Sequence, residues 1–452
     1  MKQVLLIVRN FPPVRHSGTI RVEAFARHLP SHGYHPTVLY GATPPALRES
    51  TDRVLPADQR LEIDWSSERS LFRRRWGTLP VGFSHERSRG RALLSARSIE
   101  ACQRANYRPD LILASCQPGD TLVHGQALSK HFRCPLVCDF RDPWSHWPMP
   151  LYPHWIDYQF ERRCEQSVLN SAIAMTVTTQ ASAQILEQSF RVPSHKIHLI
   201  PNGYEPADFD QQVSQFDPIA AEPGRFHIVY AGEIGTSRQP SPAARFAKAL
   251  GFQYDPLHTN YAARSPRWFL EGLGRFLSLS PEAASQMRVW FIGDAKVADD
   301  PVVKQFAAPD LLRIVPRVPP AVAAGAMQQA SLLLMLQLET FFQGQPLCVA
   351  IPGKLYSYLA SGKRILAAVQ KSENTELIER FQAGTCVSPT SASEFAAAIN
   401  AEFDRWKSGT APPDQPRKIP EFERAYQAGQ LAQLFDSLLS SSALSPAAAA
   451  TA

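Results

Sequence analysis

Short, unbroken apolar runs set at helix-length intervals constrain this chain more than any other feature. Val4 to Val8 is continuous and rich in branched side chains, the pattern of a strand buried on both faces of a parallel sheet. Arg21-Val-Glu-Ala-Phe-Ala-Arg-His-Leu29 then carries Val22, Phe25, Ala26 and Leu29 at helical spacing; Gly33 stops it, and Pro36 to Tyr40 supplies the next strand. Asp110 to Ala114, Pro135 to Asp139 and Ala172 to Val177 read as further strands, and His198-Leu-Ile-Pro-Asn-Gly-Tyr204 ends the series in a turn. Parallel strands need long crossovers, so alternation of this kind predicts a doubly wound α/β domain.

The polar, proline-broken stretch from Pro206 to Gly224 reads as a linker, and the rhythm restarts after it. Phe226 to Ala231, Val289 to Ile292, Leu311 to Ile314, Ser331 to Met335 and Arg364 to Ala368 predict the strands of a second domain. Some thirty residues between Gly235 and Trp268, holding Pro240, Pro242, Pro256 and Pro266, stand where a short loop is due and read as an insertion. The expected organisation is 1–205, a linker over 206–224, and 225–420. A helix over 421–439 returns to the first domain, and a Ser/Ala-rich tail over 440–452 is disordered. At 452 residues with 44% apolar content, two cores are the natural division. Two such domains would face each other across a cleft at their strand ends.

Charge narrows the partners. The net +6 sits in the first half, where residues 1–205 hold 25 Lys/Arg against 18 Asp/Glu. Its densest part is Arg69 to Arg104, in which Arg69, Arg73, Arg74, Arg75, Arg87, Arg89, Arg91, Arg97 and Arg104 face only Glu86 and Glu100. Leu71, Phe72, Trp76, Leu79 and Phe83 interleave with them, so this run fits either an anionic membrane surface or a solvated helix face. Zinc-ligand spacing, an RNA-binding aromatic motif and a basic tail are absent, which argues against nucleic acid. Seven scattered cysteines read as reduced, buried thiols, and Cys134 with Cys138 lacks a second pair for zinc. The apolar run at Met1 to Val8 is too short for a signal or membrane helix, so the expected location is cytoplasmic, at most peripheral on the inner face of the membrane.

Several motifs occur in order along nearly the whole chain: Phe11-Pro-Pro with Ser17, Gly18 and Arg21; His198-Leu-Ile-Pro-Asn-Gly203; Val229-Tyr-Ala-Gly232; and Pro352-Gly-Lys-Leu-Tyr-Ser-Tyr-Leu-Ala-Ser-Gly362. Together they resemble the retaining, metal-independent glycosyltransferases of family 4, whose fold is GT-B. The last stretch is similar to the donor-site segment that many members write Pro-Ser-Lys-Leu-Phe-Glu-Tyr-Leu-Ala. Two departures stand out: Ser357 where members usually carry a ribose-binding Glu, and Val349 where many carry another. A serine hydroxyl grips a ribose less firmly than a carboxylate does, and Glu339 is a substitute to consider.

The resemblance implies transfer of a sugar from a nucleoside-diphosphate donor, with no cofactor and no metal ligand set. Without metal, cations and helix N-termini must stabilise the leaving diphosphate. On the donor side the expected residues are Gly18, Gly232, Gly353, Lys354, Ser357 and an arginine, either Arg238, nearest in sequence, or Arg264, which better matches the family once the insertion is skipped. Asp139-Phe-Arg-Asp-Pro-Trp144 directly follows a buried strand, and Asp139 or Asp142 is expected to contact Arg141 or a substrate hydroxyl. Asp139, Asp142 and His16 are the candidate catalytic groups; Arg141, Trp144 and His146 are the candidate acceptor-side residues. The acceptor is a saccharide or a lipid-linked intermediate of polysaccharide or glycoconjugate synthesis. A catalytically silent GT-B protein that binds nucleotide sugar or scaffolds enzymes is the alternative, and a nucleotide-sugar epimerase of the same architecture is a third reading.

Overall fold

A computed structural model describes residues 1–12, 18–42, 55–65, 80–147, 152, 154–209, 216–236, 246, 254–409 and 416–443, with the side chains of 80–89 and 441–443 outside that description. The chain divides into two compact units. Unit 1 comprises Met1–Asn202, Phe246–Asp255 and Glu421–Ala452; unit 2 comprises Gly203–Arg245 and Pro256–Pro420. Residues 237–245 and 247–253 of the stretch read as an insertion, and the tail beyond 443, lie outside the described residues.

Unit 1 is built on β1 (Lys2–Val8), β2 (Tyr34–Gly41), β3 (Arg60–Ile63), β4 (Leu111–Cys116), β5 (Leu136–Phe140), β6 (Ala174–Val177) and β7 (Ile197–Leu199), in the order β3-β2-β1-β4-β5-β6-β7. Every pairing is parallel. Its helices are α1 (Ile20–His28), α2 (Pro80–Arg104), α3 (Asp120–Phe132), α4 (Trp155–Ser171), α5 (Gln180–Phe190) and, from the far end of the chain, the helix Arg424–Ala443. That last helix presses Leu431 and Phe435 into a core shared with Val4, Leu6, Phe25 and Tyr34, and its Asp436 takes hydrogen bonds from Lys2 Nζ at 2.7 Å and Tyr34 Oη at 2.8 Å. Strand order reverses direction between β1 and β4, the place where doubly wound sheets open toward ligands at their carboxyl ends.

Unit 2 repeats the plan with β8 (Phe226–Ala231), β9 (Met287–Ile292), β10 (Leu312–Val315), β11 (Leu332–Leu336), β14 (Ile365–Ala368) and β15 (Gly384–Val387), ordered β10-β9-β8-β11-β14-β15 and all parallel. A two-stranded hairpin, β12 (Phe341–Phe342) with β13 (Gln345–Pro346), stands apart from it. Phe269 and Leu273 of α6 (Arg267–Leu279) and Phe395 of a later helix, Ala392–Ser408, pack with Tyr230 and Phe291 in the core. The longer helices that follow are α7 (Pro320–Gln329), α8 (Gly353–Ser361) and α9 (Glu373–Arg380), besides single turns at Asp217–Ala220, Ala283–Gln286 and Pro301–Lys304; Ala392–Ser408 is α10 and Arg424–Ala443 is α11.

Three elements differ from the sequence expectation. β3 is four residues with alternating burial at a sheet edge, β15 is a half-buried edge strand, and the hairpin is too short for any periodicity. Edge strands lose the continuous apolar run that marks central ones. The seven cysteines are free, but Cys134, Cys164, Cys348 and Cys386 are only half-buried, against the expectation that all are buried.

Candidate functional site

In unit 1 the sequence expects Asp139 or Asp142 to contact Arg141 or a substrate hydroxyl; in the structure Asp142 meets Arg141, and Asp139 pairs with Arg21. Asp139 is the fourth of the five buried residues of β5 and is fully inaccessible. The Arg21 guanidinium, itself 5% exposed, reaches it from α1 through Nε at 3.2 Å and Nη2 at 3.0 Å. Ser115 Oγ on β4 and Thr176 Oγ1 on β6 each donate at 2.7 Å. Burial raises the carboxyl, but the Arg21 cation and these donors outweigh it and hold it below the ordinary carboxylate value. Arg21 also donates to Pro201 O and Ile200 O. With its acceptor sites met by Arg21, Ser115 and Thr176, Asp139 joins three strands and a helix.

The residues after β5 are organised differently from their motif. Arg141 Nη1 donates to Gly18 O at 2.5 Å and Nε lies 3.4 Å from Asp142 Oδ2. A Cβ built on Gly18 would overlap the Arg141 guanidinium, which packs directly on this glycine. Burial pushes Asp142 up despite Arg141 beside it, and its side chain keeps 17% exposure. Of the two aspartates it is therefore the one left accessible, carrying a carboxyl adjusted toward proton exchange. Trp144 and His146 are buried at 3% and 1%, rather than presented to an acceptor. Trp144 Nε1 donates to Glu161 Oε2 at 2.8 Å under the Arg91 guanidinium, which also binds Glu161 and Asp120. His146 lies among Ser145, Tyr158 and Phe190, and burial, with Arg162 nearby, pushes it down to about 3, so it is neutral. Glu165, one helical turn from Glu161 on α4, accepts from Ser145 N, and burial pushes it up to about 7.

In unit 2 Gly232 and Lys354 come together, and Arg264 meets the loop after β8. β8 ends at Ala231, and Gly232 turns away with φ +124° while its N–H still reaches Ile292 O at 2.8 Å. A Cβ on Gly232 would stand 3.1 Å from Lys354 Nζ, so a side chain there is both strained and obstructed. Lys354 belongs to the first turn of α8, whose start is Pro352 at the N-cap with Gly353 exposed behind it. Its Nζ sits 3.7 Å from the centroid of the Tyr230 ring and, though buried, has no hydrogen-bond acceptor among the described residues. Burial lowers this ammonium below an ordinary lysine. Arg264 Nη2 donates to Glu233 O at 2.9 Å, Gly235 N binds Arg264 O at 3.1 Å, and Arg317 Nη2 pairs with Glu233 Oε1 at 3.0 Å. Three cations and a helix N-terminus thus gather at the carboxyl end of β8. This is the electrostatic composition of an anion site.

Ser357 lies one turn along α8, half-buried. Val349 is 2% exposed, and Glu339 is tied to Asn260 through both backbone and side chain, at 2.8 Å each. His16, Arg238 and the arginines at 69 and 73–75 lie outside the described residues. Of the rest of the basic run, Arg91 is consumed internally, Arg97 donates to Asp64 O and Arg104 pairs with Glu100, which leaves the described part a less naked patch than its composition suggests. No group of three or more metal-ligating side chains, and no helix long and apolar enough to cross a membrane, occurs among the described residues. Glu233, Arg317 and Glu165 carry no motif, and Arg21 and Tyr230 stand inside motifs that give them no role; only the fold singles these residues out.

Two doubly wound parallel sheets in one chain define the GT-B class of protein. Residues 18–208 match the family model described as Glycosyltransferase Family 4, the family the motifs resemble. Among solved structures the chain is similar to the sucrose-phosphate synthase of Thermosynechococcus elongatus (15% identity, 98% of this chain and 100% of that one, TM-score 0.57). It is similar also to Anabaena HepE in complex with UDP and glucose (14%, 98% and 100%, TM-score 0.54). A putative UDP-N-acetylglucosamine 2-epimerase from Listeria monocytogenes is as similar in fold (12%, 98% and 98%, TM-score 0.57). No curated protein matches the sequence. At these identities the likeness speaks for the fold, and function must come from the site.

Proposed function

We propose that the protein is a glycosyltransferase that moves a sugar from a nucleoside-diphosphate donor to an acceptor hydroxyl, with retention and without a metal ion. The observation that carries this reading is Lys354: a buried ammonium lacking a hydrogen-bond acceptor, set beside positive-φ Gly232 and the N-terminus of α8. Diphosphate oxygens supply the missing acceptors, and Lys354, Arg264 and the α8 amides neutralise the leaving group as the glycosidic bond breaks. Of the two candidate arginines, Arg264 is the one supported by a position next to Glu233. In unit 1, Asp142 with Arg141 is assigned to the acceptor hydroxyl. A UDP-sugar is the first donor to try, since UDP is what HepE carries in its complex. The acceptor assigned is a saccharide or lipid-linked intermediate, met by a peripheral protein on the inner face of the membrane; cosedimentation with anionic against neutral vesicles tests that part.

The decisive experiment is a panel of nucleotide sugars assayed for thermal stabilisation and for sugar transfer, with and without chelator. A ligand that binds only the folded state raises its melting temperature by mass action. Stabilisation by a donor, lost in Lys354→Met, and transfer unaffected by chelator are the expected results. Absence of any donor effect would defeat the reading. A silent, donor-binding protein is the second reading, favoured by Ser357 and Val349 where the family carries carboxylates; donor binding with neither transfer nor hydrolysis would select it.

A further inference from the structure

The cation at the end of β8 is held in an unusual way. Lysine ammonium groups carry three donors and are strongly hydrated, so a buried one is normally met by carboxylates or carbonyls. Lys354 Nζ has neither among the described residues and rests on the face of Tyr230 at 3.7 Å from the ring centroid. Tyr230 is itself fixed from two sides. It is a central residue of β8, about 1% exposed, and its hydroxyl donates to Glu233 O at 2.5 Å. That same carbonyl accepts Arg264 Nη2. The ring, the Gly232 turn and the Arg264 side chain are therefore parts of one hydrogen-bonded unit, and Lys354 meets this unit at the Tyr230 ring.

We propose that Tyr230 is a positioning residue for Lys354, its ring retaining the ammonium beside Gly232 with its N–H donors uncommitted until phosphate oxygens of a nucleoside diphosphate engage them. This rests on the donor reading given above. A π face stabilises a cation electrostatically while using none of its hydrogen bonds, so the lysine is kept in place yet still receptive. A carboxylate in the ring's position would satisfy the ammonium before the ligand arrived and would repel the ligand as well.

A pH consequence follows from the groups around Nζ. Those that face it are Tyr230 from β8, Glu233 from the loop after it and Arg264 from the segment before α6. Burial and Arg264 disfavour the charged lysine, while Tyr230 and Glu233 favour it. Incoming phosphate charge favours it further, so diphosphate binding draws a proton onto Lys354 wherever the free site is partly neutral, and affinity falls on the alkaline side at lower pH than a solvated lysine would dictate. Removing the ring removes a stabilising contact of the ammonium and moves that alkaline limb to lower pH.

The experiment is calorimetric titration of the intact protein with UDP, GDP and ADP across the neutral to alkaline range, using the tightest of the three. The proteins compared are wild type, Tyr230→Phe, Tyr230→Leu and Lys354→Met. Wild type and Tyr230→Phe, which keeps the ring face, should share one alkaline limb, and Tyr230→Leu should bind with its limb displaced to lower pH. Lys354→Met should bind more weakly with no such limb, and this comparison stands even if Tyr230→Leu does not fold. A residue acting only through packing would weaken binding equally at every pH. An unmoved limb in Tyr230→Leu, or a wild-type limb persisting in Lys354→Met, overturns the inference while leaving diphosphate binding intact. Absence of binding by wild type to all three nucleotides overturns the donor reading itself.

Discussion

Replacing Asp139 by alanine separates a structural from a catalytic aspartate. In the native protein its carboxylate takes three kinds of donor: the Arg21 guanidinium at 3.0 and 3.2 Å, and the Ser115 and Thr176 hydroxyls at 2.7 Å. Removing it leaves Arg21, 5% exposed, with the carbonyls of Ile200 and Pro201 and no counter-charge. Breaking a buried ion pair from one side costs about 3–5 kcal/mol, and each orphaned hydroxyl adds up to about 1–3 kcal/mol less than additively. Against a typical stability of about 5–15 kcal/mol this is a large fraction, so unit 1 should be severely destabilised. Exchanging both partners, Arg21→Met with Asp139→Leu, removes the unpaired charge and should be less damaging than Asp139→Ala alone. Hydrogen exchange followed by mass spectrometry over β5 reads unit 1 separately from unit 2, and the same samples can be assayed for donor turnover. The folded carboxyl lies below its unfolded value, so the pair's contribution is present above the unfolded pKa and is lost as pH falls through the folded one. Protection at β5 within about 0.5 kcal/mol of wild type, the range of neutral surface changes, together with abolished turnover, would refute the structural assignment and return Asp139 to catalysis.

Gly119→Ala drives a methyl group into the Trp144 ring and should cost about 1–3 kcal/mol by overpacking, measured as a lower melting temperature; an unchanged value would mean that Trp144 does not rest there. Gly232→Ala meets both an unfavourable φ and Lys354 Nζ, so diphosphate affinity should drop by tenfold or more, on the order of 1.4 kcal/mol, with little change in far-ultraviolet circular dichroism. Acid should weaken unit 1: His124 and His146 are pushed down to about 4 and about 3, so below the ordinary 6.5 the unfolded chain binds protons the folded one refuses, and stability falls by up to about 1.4 kcal/mol per pH unit for each. Glu165, pushed up to about 7, works the other way between 4.5 and 7, because there the folded state holds the extra proton. Glu165→Gln should therefore steepen the loss of urea resistance on acidification, and an unchanged slope would show that Glu165 does not hold that proton.

The central strands were legible from sequence because burial on both faces leaves an unbroken apolar run: Val4 to Val8, Phe226 to Ala231 and Leu332 to Leu336 lie in the middle of their sheets. The segment from Pro352 to Gly362 likewise read as a helix carrying Lys354 at its start, and Gly232 as the turn after a strand, since turns and helix starts have local chemistry. What local pattern cannot carry is partner choice. Asp139 and Asp142 stand three residues apart beside the same Arg141, yet the first is closed off by Arg21, which lies 118 positions away, and the second stays accessible. Trp144 and His146 look like exposed motif residues until α4 supplies Glu161 and a buried aromatic surround. Tyr230 is one more aromatic in an apolar run until the fold sets its face beneath an ammonium 124 residues downstream. Sequence alone determined the alternation of buried strands and covering helices, because the hydrophobic effect is read out one residue at a time. Only the tertiary structure decided which charges are spent inside the protein and which remain for a ligand, because pairing depends on distances that the chain order does not contain.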